Sequence, residues 1–125
     1  MSNKVLIVDD QAFIRHIYSA DLRNAGYEVF CAESAAKAMQ ILADTSVDII
    51  LLDAVMPEID GYTLCSKLRS QADTKDIPVI FLTANADKTS VIKAVQAGAN
   101  DFFVKCPDTN GLLIKISKYS SRMLT

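Results

Sequence analysis

No apolar stretch in this chain approaches the ~18 residues that a membrane-spanning helix needs, which excludes a spanning segment. Basic residues are not in excess. Thirteen Lys and Arg stand against fifteen Asp and Glu, a net charge of −2, and that balance supplies no electrostatic footprint for nucleic acid or an anionic membrane surface. Cysteine is scarce: Cys31, Cys65 and Cys106 are an odd number without metal-ligand spacing, which predicts reduced thiols and a cytoplasmic location. The single histidine, His16, falls off the apolar stripe of its segment and reads as solvent-facing. Met1-Ser2-Asn3-Lys4 runs straight into a strand-like segment, so no signal peptide is expected. There is also no repeat, linker or low-complexity tract. With 50% hydrophobic and 22% charged residues, residues 1–125 are expected to form one domain.

Short apolar runs alternate with stretches of helical period. Lys4 to Val8 is β-branched and aliphatic, as suits a strand buried on both faces of a parallel sheet. Ile14, Ile17, Tyr18, Leu22 and Ala25 mark one face of a helix, and Gly26 follows as a stop. Tyr27 to Cys31 predicts a second strand. Ala35, Ala38, Met39 and Leu42 predict a second helix with Ser34 as its N-cap. Asp48 to Leu52 is a third strand, and Ala54 to Gly61, holding Pro57, a loop. Tyr62, Cys65, Leu68 and Arg69 then continue as a helix. Pro78 to Leu82 is a fourth strand, and Asp87 caps a helix with the stripe Val91, Ala94 and Val95, closed by Gly98. Asp101 to Val104 is a fifth strand, and Leu112, Leu113, Ile116, Tyr119 and Met123 mark the last helix. This is (βα)5, an α/β fold whose parallel sheet is covered on both faces.

In such a sheet the loops at the carboxyl ends of the strands form the ligand crevice. Those loops carry Asp9 and Asp10 after the first strand, Asp53 after the third, Thr83 after the fourth and Lys105 after the fifth. Three carboxylates brought together repel one another unless a cation or a basic group neutralises them. Clustered carboxylate oxygens with room for water suit Mg²⁺, and a lysine across the site offers a mobile charge for an anionic oxygen. An aspartate beside Mg²⁺, a lysine and a hydroxyl is placed to attack phosphorus, because phosphoryl transfer needs mainly positioning and charge neutralisation. Taken singly these residues have plainer readings. Asp10 could cap the first helix, Thr83 and Phe102 could simply be strand residues, and Lys105 could be solvated.

Val8-Asp9-Asp10, Leu52-Asp53 with Met56-Pro57 and Asp60-Gly61, Leu82-Thr83-Ala84, Ala97-Gly98-Ala99 and Phe103-Val104-Lys105 stand in order along the chain. Together they resemble the receiver domains of two-component response regulators, in extent a chemotaxis-type regulator. The resemblance implies a doubly wound, flavodoxin-like sheet of order 2-1-3-4-5. It implies that Asp53 accepts a phosphoryl group from a phosphohistidine on a sensor histidine kinase or phosphotransfer protein. It further implies direct Mg²⁺ ligation by Asp10, Asp53 and the Val55 carbonyl, with Asp9 acting through a metal-bound water. Lys105 and Thr83 would contact the phosphoryl oxygens. Thr83 and Phe102 would form the switch that reshapes the face of the fourth helix, fifth strand and fifth helix for a downstream protein or fused output domain. Lys93, Gln96, Lys115 and Lys118 are candidate contact residues on that face. The domain itself is expected to catalyse only its own phosphorylation and dephosphorylation, and to bind neither nucleic acid nor membrane.

Three positions depart from the family pattern. Cys106 stands where a proline usually follows the lysine through a cis bond, and the ~2.5–4 kcal/mol cost of a non-proline cis peptide predicts a trans Lys105–Cys106 bond. Phe102 replaces tyrosine and lacks a hydroxyl to satisfy outside, which favours a buried ring. Val55 and Asn85 occupy positions that influence how water reaches the acyl phosphate, and an apolar Val55 cannot orient an attacking water. Rival readings are a phosphorylation-independent interaction module, an aspartate-nucleophile phosphatase of the haloacid-dehalogenase type, and an FMN binder. The phosphatase would need a second acid at Val55, and Asp9-Asp10 would repel an FMN phosphate. The chain reaches Thr125 soon after its last helix, so no output domain is expected within it.

Overall fold

The computed structural model describes residues 3–84 and 87–120. Five parallel strands, β1 (Lys4–Val8), β2 (Glu28–Ala32), β3 (Ile49–Asp53), β4 (Val79–Thr83) and β5 (Asp101–Val104), form one sheet in the order β2-β1-β3-β4-β5. They alternate with α1 (Ala12–Asn24), α2 (Ala35–Asp44), α3 (Gly61–Arg69), α4 (Lys88–Ala97) and α5 (Asn110–Ser120). The expected α/β architecture and strand order are therefore present. β2, β3 and β4 start and end one residue later than the sequence pattern suggested, because apolar periodicity does not report where ladder pairing begins.

β1, β3 and β4 read as continuous apolar runs because both their faces are buried, whereas the edge strands β2 and β5 are only partly covered. Alternate residues divide the core in two. Leu6, Val8, Ile50, Leu52, Val79 and Phe81 pack with Ala38, Leu64, Cys65, Leu68 and Ala94 beneath α2, α3 and α4. Val5, Ile7, Ile49, Leu51, Ile80 and Leu82 pack with Tyr18, Leu22, Leu112 and Ile116 beneath α1 and α5. All five β3 residues are buried, Asp53 included. Truncating any of its aliphatic residues to alanine would cost about 2–5 kcal/mol.

Side-chain caps set where three helices begin. Ser34, Asp60 and Asp87 accept from the amides of Lys37, Thr63 and Ser90 at 3.2, 2.8 and 2.7 Å. Each cap contributes about 1 kcal/mol. α1 differs: its N-cap is Gln11, without a side-chain cap bond, so Asp10 does not serve that role. Gly98 ends α4 at φ 94°, a left-handed turn that only glycine adopts without strain.

Two helix-face assignments need correction. Val95 does not belong to the buried stripe of α4. It is exposed, and Ala97 is buried with Ala94 instead, because residues three apart on the helix share the face that meets the sheet. Ala25 lies past the end of α1 and is exposed, since the chain already turns there toward Gly26. His16 is exposed, as expected. The readings placed on Asn85 and Met123 fall outside the described residues.

Candidate functional site

The parallel register carries the site residues to one edge. Val8 pairs with Leu52 and Asp53 with Leu82, while Thr83 pairs with Val104, so residues at successive strand ends share a level. Asp10, Gln11, Asp53, Ala54, Val55, Thr83, Ala84 and Lys105 line one cavity of about 270 Å³. Carboxylate oxygens of Asp9, Asp10 and Asp53 lie within 4.8 Å of one another. The structure thus brings together Asp9, Asp10, Asp53, Thr83 and Lys105, the strand-end residues singled out from the sequence.

Their environments differ. Asp9 and Asp53 are buried and Asp10 is exposed. Lys105 Nζ lies between the two buried acids, 2.9 Å from Asp9 Oδ2 and 3.2 Å from Asp53 Oδ1, and donates to Gln11 Oε1 at 3.1 Å. Asp9 Oδ1 accepts from the Gln11 amide, while its buried Oδ2 faces the Lys105 ammonium at 2.9 Å and takes no amide or hydroxyl donor. A buried carboxylate oxygen in that condition suits a cation. The donor set is all oxygen, open on one side and rich in charge, which fits Mg²⁺ better than a soft metal.

Burial, and next the charge of Asp9, push Asp53 up to about 7, against the pull of Lys105 and the Val55 amide. Burial works against a charged Lys105, but the hydrogen bond and charge of Asp9 together with Asp53 outweigh it, holding the amine above its ordinary value. One lysine is therefore fully charged among three acids and does not neutralise them. Adding positive charge near Asp53 favours its ionised, nucleophilic form.

Val55 is on the rim, 76% exposed, and its amide donates to Asp53 Oδ1 at 3.2 Å. Thr83 is half-buried at the end of β4, and its carbonyl accepts from the Lys105 amide at 2.8 Å. Phe102 is half-buried against the α2–α3–α4 side of the core, with Lys115 Nζ 5.8 Å above its ring. Lys115 also pairs with Asp101 at 2.9 Å, tying α5 to β5. The Lys105–Cys106 peptide is trans, as expected.

Two contributors escaped the sequence reading, and a third, Gly61, reads there only as a loop and motif residue. Gln11 lines the cavity and holds the lysine, and its only signal was adjacency to Asp10. Arg15 Nη1 donates to the Asp9 carbonyl at 2.7 Å, one helical turn beyond the acids. Gly61 lies so close to β3 that an added Cβ would sit 2.1 Å from the Asp53 carbonyl oxygen. Only a residue without a side chain fits there.

Comparison with known proteins agrees with this geometry. The family described as response regulator receiver domain matches residues 5–117. The chain is 34% identical over 113 residues to the DNA-binding dual master transcriptional regulator RpaA of Synechocystis sp., covering 90% of this chain and 47% of that protein. It therefore spans about half that regulator's length. The Vibrio cholerae chemotaxis protein CheY4 superposes with a TM-score of 0.91 at 29% identity, covering 95% of this chain and 99% of that one. The receiver domain of a Pseudomonas aeruginosa sensor histidine kinase, solved with a magnesium ion in its active-site cleft, gives 0.87 at 28% identity, covering 95% and 98%.

Proposed function

The chain belongs to the response regulator receiver domain family, and from that premise we propose that it is a phosphorylation-operated switch with Asp53 as phosphoacceptor. The observation that carries this reading is the Lys105 amine held between Asp9 and Asp53, over a cavity that also presents Asp10 and Thr83.

Asp10, Asp53 and the Val55 carbonyl would hold Mg²⁺, with Asp9 behind them acting through water. When bound, the ion supplies charge neutralisation for the acids and for the incoming phosphoryl oxygens. An Asp53 Oδ attacks phosphorus of a phosphohistidine on a sensor kinase or phosphotransfer protein. The N–P bond breaks as the O–P bond forms, and the departing imidazole keeps the electron pair and takes a proton. Lys105 and the Thr83 hydroxyl meet the transferred oxygens, giving contacts that exist only in the phosphorylated state. Phosphoryl loss is the reverse economy of the same site: water attacks phosphorus and the Asp53 carboxylate leaves.

Such state-specific contacts bias a two-state element, which we assign to Thr83 and Phe102 on the paired strands β4 and β5. The readout face comprises α4, β5 and α5, where a downstream protein or fused output domain would bind. A cytoplasmic location accords with this role, and no described helix is long and apolar enough to cross a membrane. A turnover phosphatase is disfavoured, because the position of its second acid is held by the exposed, apolar Val55.

Intact mass after incubation with acetyl phosphate tests the proposal, on wild type and Asp53→Asn, with and without Mg²⁺. The expected result is a Mg²⁺-dependent gain of one phosphoryl group in wild type alone. No gain in the folded wild-type protein would overturn it in favour of a phosphorylation-independent interaction module.

A further inference from the structure

Lys105 is a long, flexible side chain on a loop, yet its amine must meet a phosphoryl oxygen at a fixed place. What fixes it is visible on α1. The Tyr18 ring is 1% exposed and packs edge-on against Phe103, with ring centres 6.5 Å apart. Its hydroxyl donates to the Cys106 carbonyl at 3.0 Å and accepts from the Cys106 amide at 3.1 Å. A single buried hydroxyl thus holds both backbone groups of the residue after Lys105. This arrangement requires an N–H at position 106, which a proline there would lack.

Two further bonds bracket the same loop. The Lys105 amide is held by the Thr83 carbonyl at 2.8 Å. Three residues beyond Tyr18 on α1, Asp21 Oδ2 accepts from the Thr109 hydroxyl at 2.7 Å. The lysine backbone is therefore anchored on β4 on one side and on α1 on the other. Burial holds the Tyr18 phenol above its ordinary value, so it remains a donor at neutral pH. No other described side chain bonds to the Cys106 backbone.

We infer that Tyr18 is a positioning residue for phosphoryl transfer: its hydroxyl holds the Cys106 peptide, and through it aims the Lys105 amine at the Asp53 site. The inference rests on the proposed role of Lys105 at the transferred phosphoryl group. Tyr18→Phe removes one oxygen and keeps the buried ring. Cys106 is an exposed loop residue outside both halves of the core. The fold should survive while the preorganisation of Lys105 is loosened.

The test is the rate of phosphorylation by acetyl phosphate with Mg²⁺, followed by intact mass, for wild type, Tyr18→Phe, Lys105→Ala and the double variant. Tyr18→Phe should be slower by about three- to tenfold, the equivalent of one or two hydrogen bonds. Its calorimetric Mg²⁺ affinity without donor should stay within about twofold of wild type, since Tyr18 touches none of the acids. In the Lys105→Ala background the substitution should cause no further slowing. An unchanged rate in Tyr18→Phe overturns the inference. Equal slowing in both backgrounds also overturns it, because a merely structural role would act without Lys105. A wild-type protein that takes up no phosphoryl group instead defeats the functional reading beneath it.

Discussion

The two edges of the sheet treat charge in opposite ways. At the edge where the strands begin, the half-buried Arg69 guanidinium donates to the carbonyls of Gly98, Lys75 and Ile77 and to Asn100 Oδ1, at 2.7–3.1 Å. Asn100 Oδ1 in turn accepts from the Val79 amide at 2.9 Å, and Asp48 Oδ2 takes the Lys4 amide at 2.7 Å. One cation there is matched by neutral acceptors, and the result closes α3, β4 and the end of α4 into one structure. At the edge where the strands end, three acids share one lysine, and buried Asp9 Oδ2 has that ammonium beside it but no neutral donor.

The contrast teaches that the buried, converging acids of this fold do not lie at its largest hollows. Larger hollows of about 370 and 450 Å³ lie at the first edge, around Val47, Asp73 and Ile77. They are surface recesses beside a satisfied polar network. The 270 Å³ cavity at the second edge is smaller, but the groups lining it are in electrostatic deficit.

The largest effect should come from forcing matter into the site edge. Gly61→Ala drives a Cβ into the Asp53 carbonyl and should cost about 3 kcal/mol by chemical denaturation. Phosphorylation of the folded fraction should fall with it. Normal uptake by this variant would show that β3 and α3 separate freely. Arg69→Ala should cost nearly as much, about 2–3 kcal/mol, through the carbonyls it leaves without their charged donor. Its phosphorylation rate should remain near wild type, because its contacts lie at the other edge. A large loss of rate would show the two edges to be coupled.

A third prediction uses pH. Asp53 titrates in the folded protein near 7, above its ordinary 3.8, so the folded state binds that proton more tightly than the unfolded chain. Its contribution is most favourable below about pH 4, where both the folded and the unfolded forms are protonated. Stability should then fall as pH rises from about 4 through 7, with the penalty fully present above that. Melting temperatures without metal should show this decline in wild type and less of it in Asp53→Asn, and Mg²⁺ should flatten the wild-type curve. Equal slopes in the two proteins would remove Asp53 as the cause. The smallest effect concerns Val55. Val55→Asn places a polar group on the rim that can orient water, and should shorten the acyl-phosphate lifetime severalfold. An equal or longer lifetime would contradict that argument.

Sequence reading went far here because two periodicities report directly on packing. A run such as Ile49–Leu52 admits few alternatives to a doubly buried strand, and the acids follow such runs at the strand ends. The caps at Ser34 and Asp87 were equally local, since each bond spans three residues, whereas the cap at Asp60 emerged only from the structure. Val95 was misjudged because an apolar residue near a stripe need not face the sheet, and the width of the contact depends on how α4 is seated.

The sequence by itself therefore determined the (βα)5 order, the site acids, the lysine and the resemblance they carry. It did so because hydrophobic period and strand-end chemistry are written in neighbouring residues. Only the tertiary structure decided that Lys105 bridges Asp9 and Asp53, that Gly61 must lack a side chain, and that Tyr18 grips Cys106 from 88 residues away. Those contacts join segments distant in the chain, and their geometry is set by how the helices settle on the sheet.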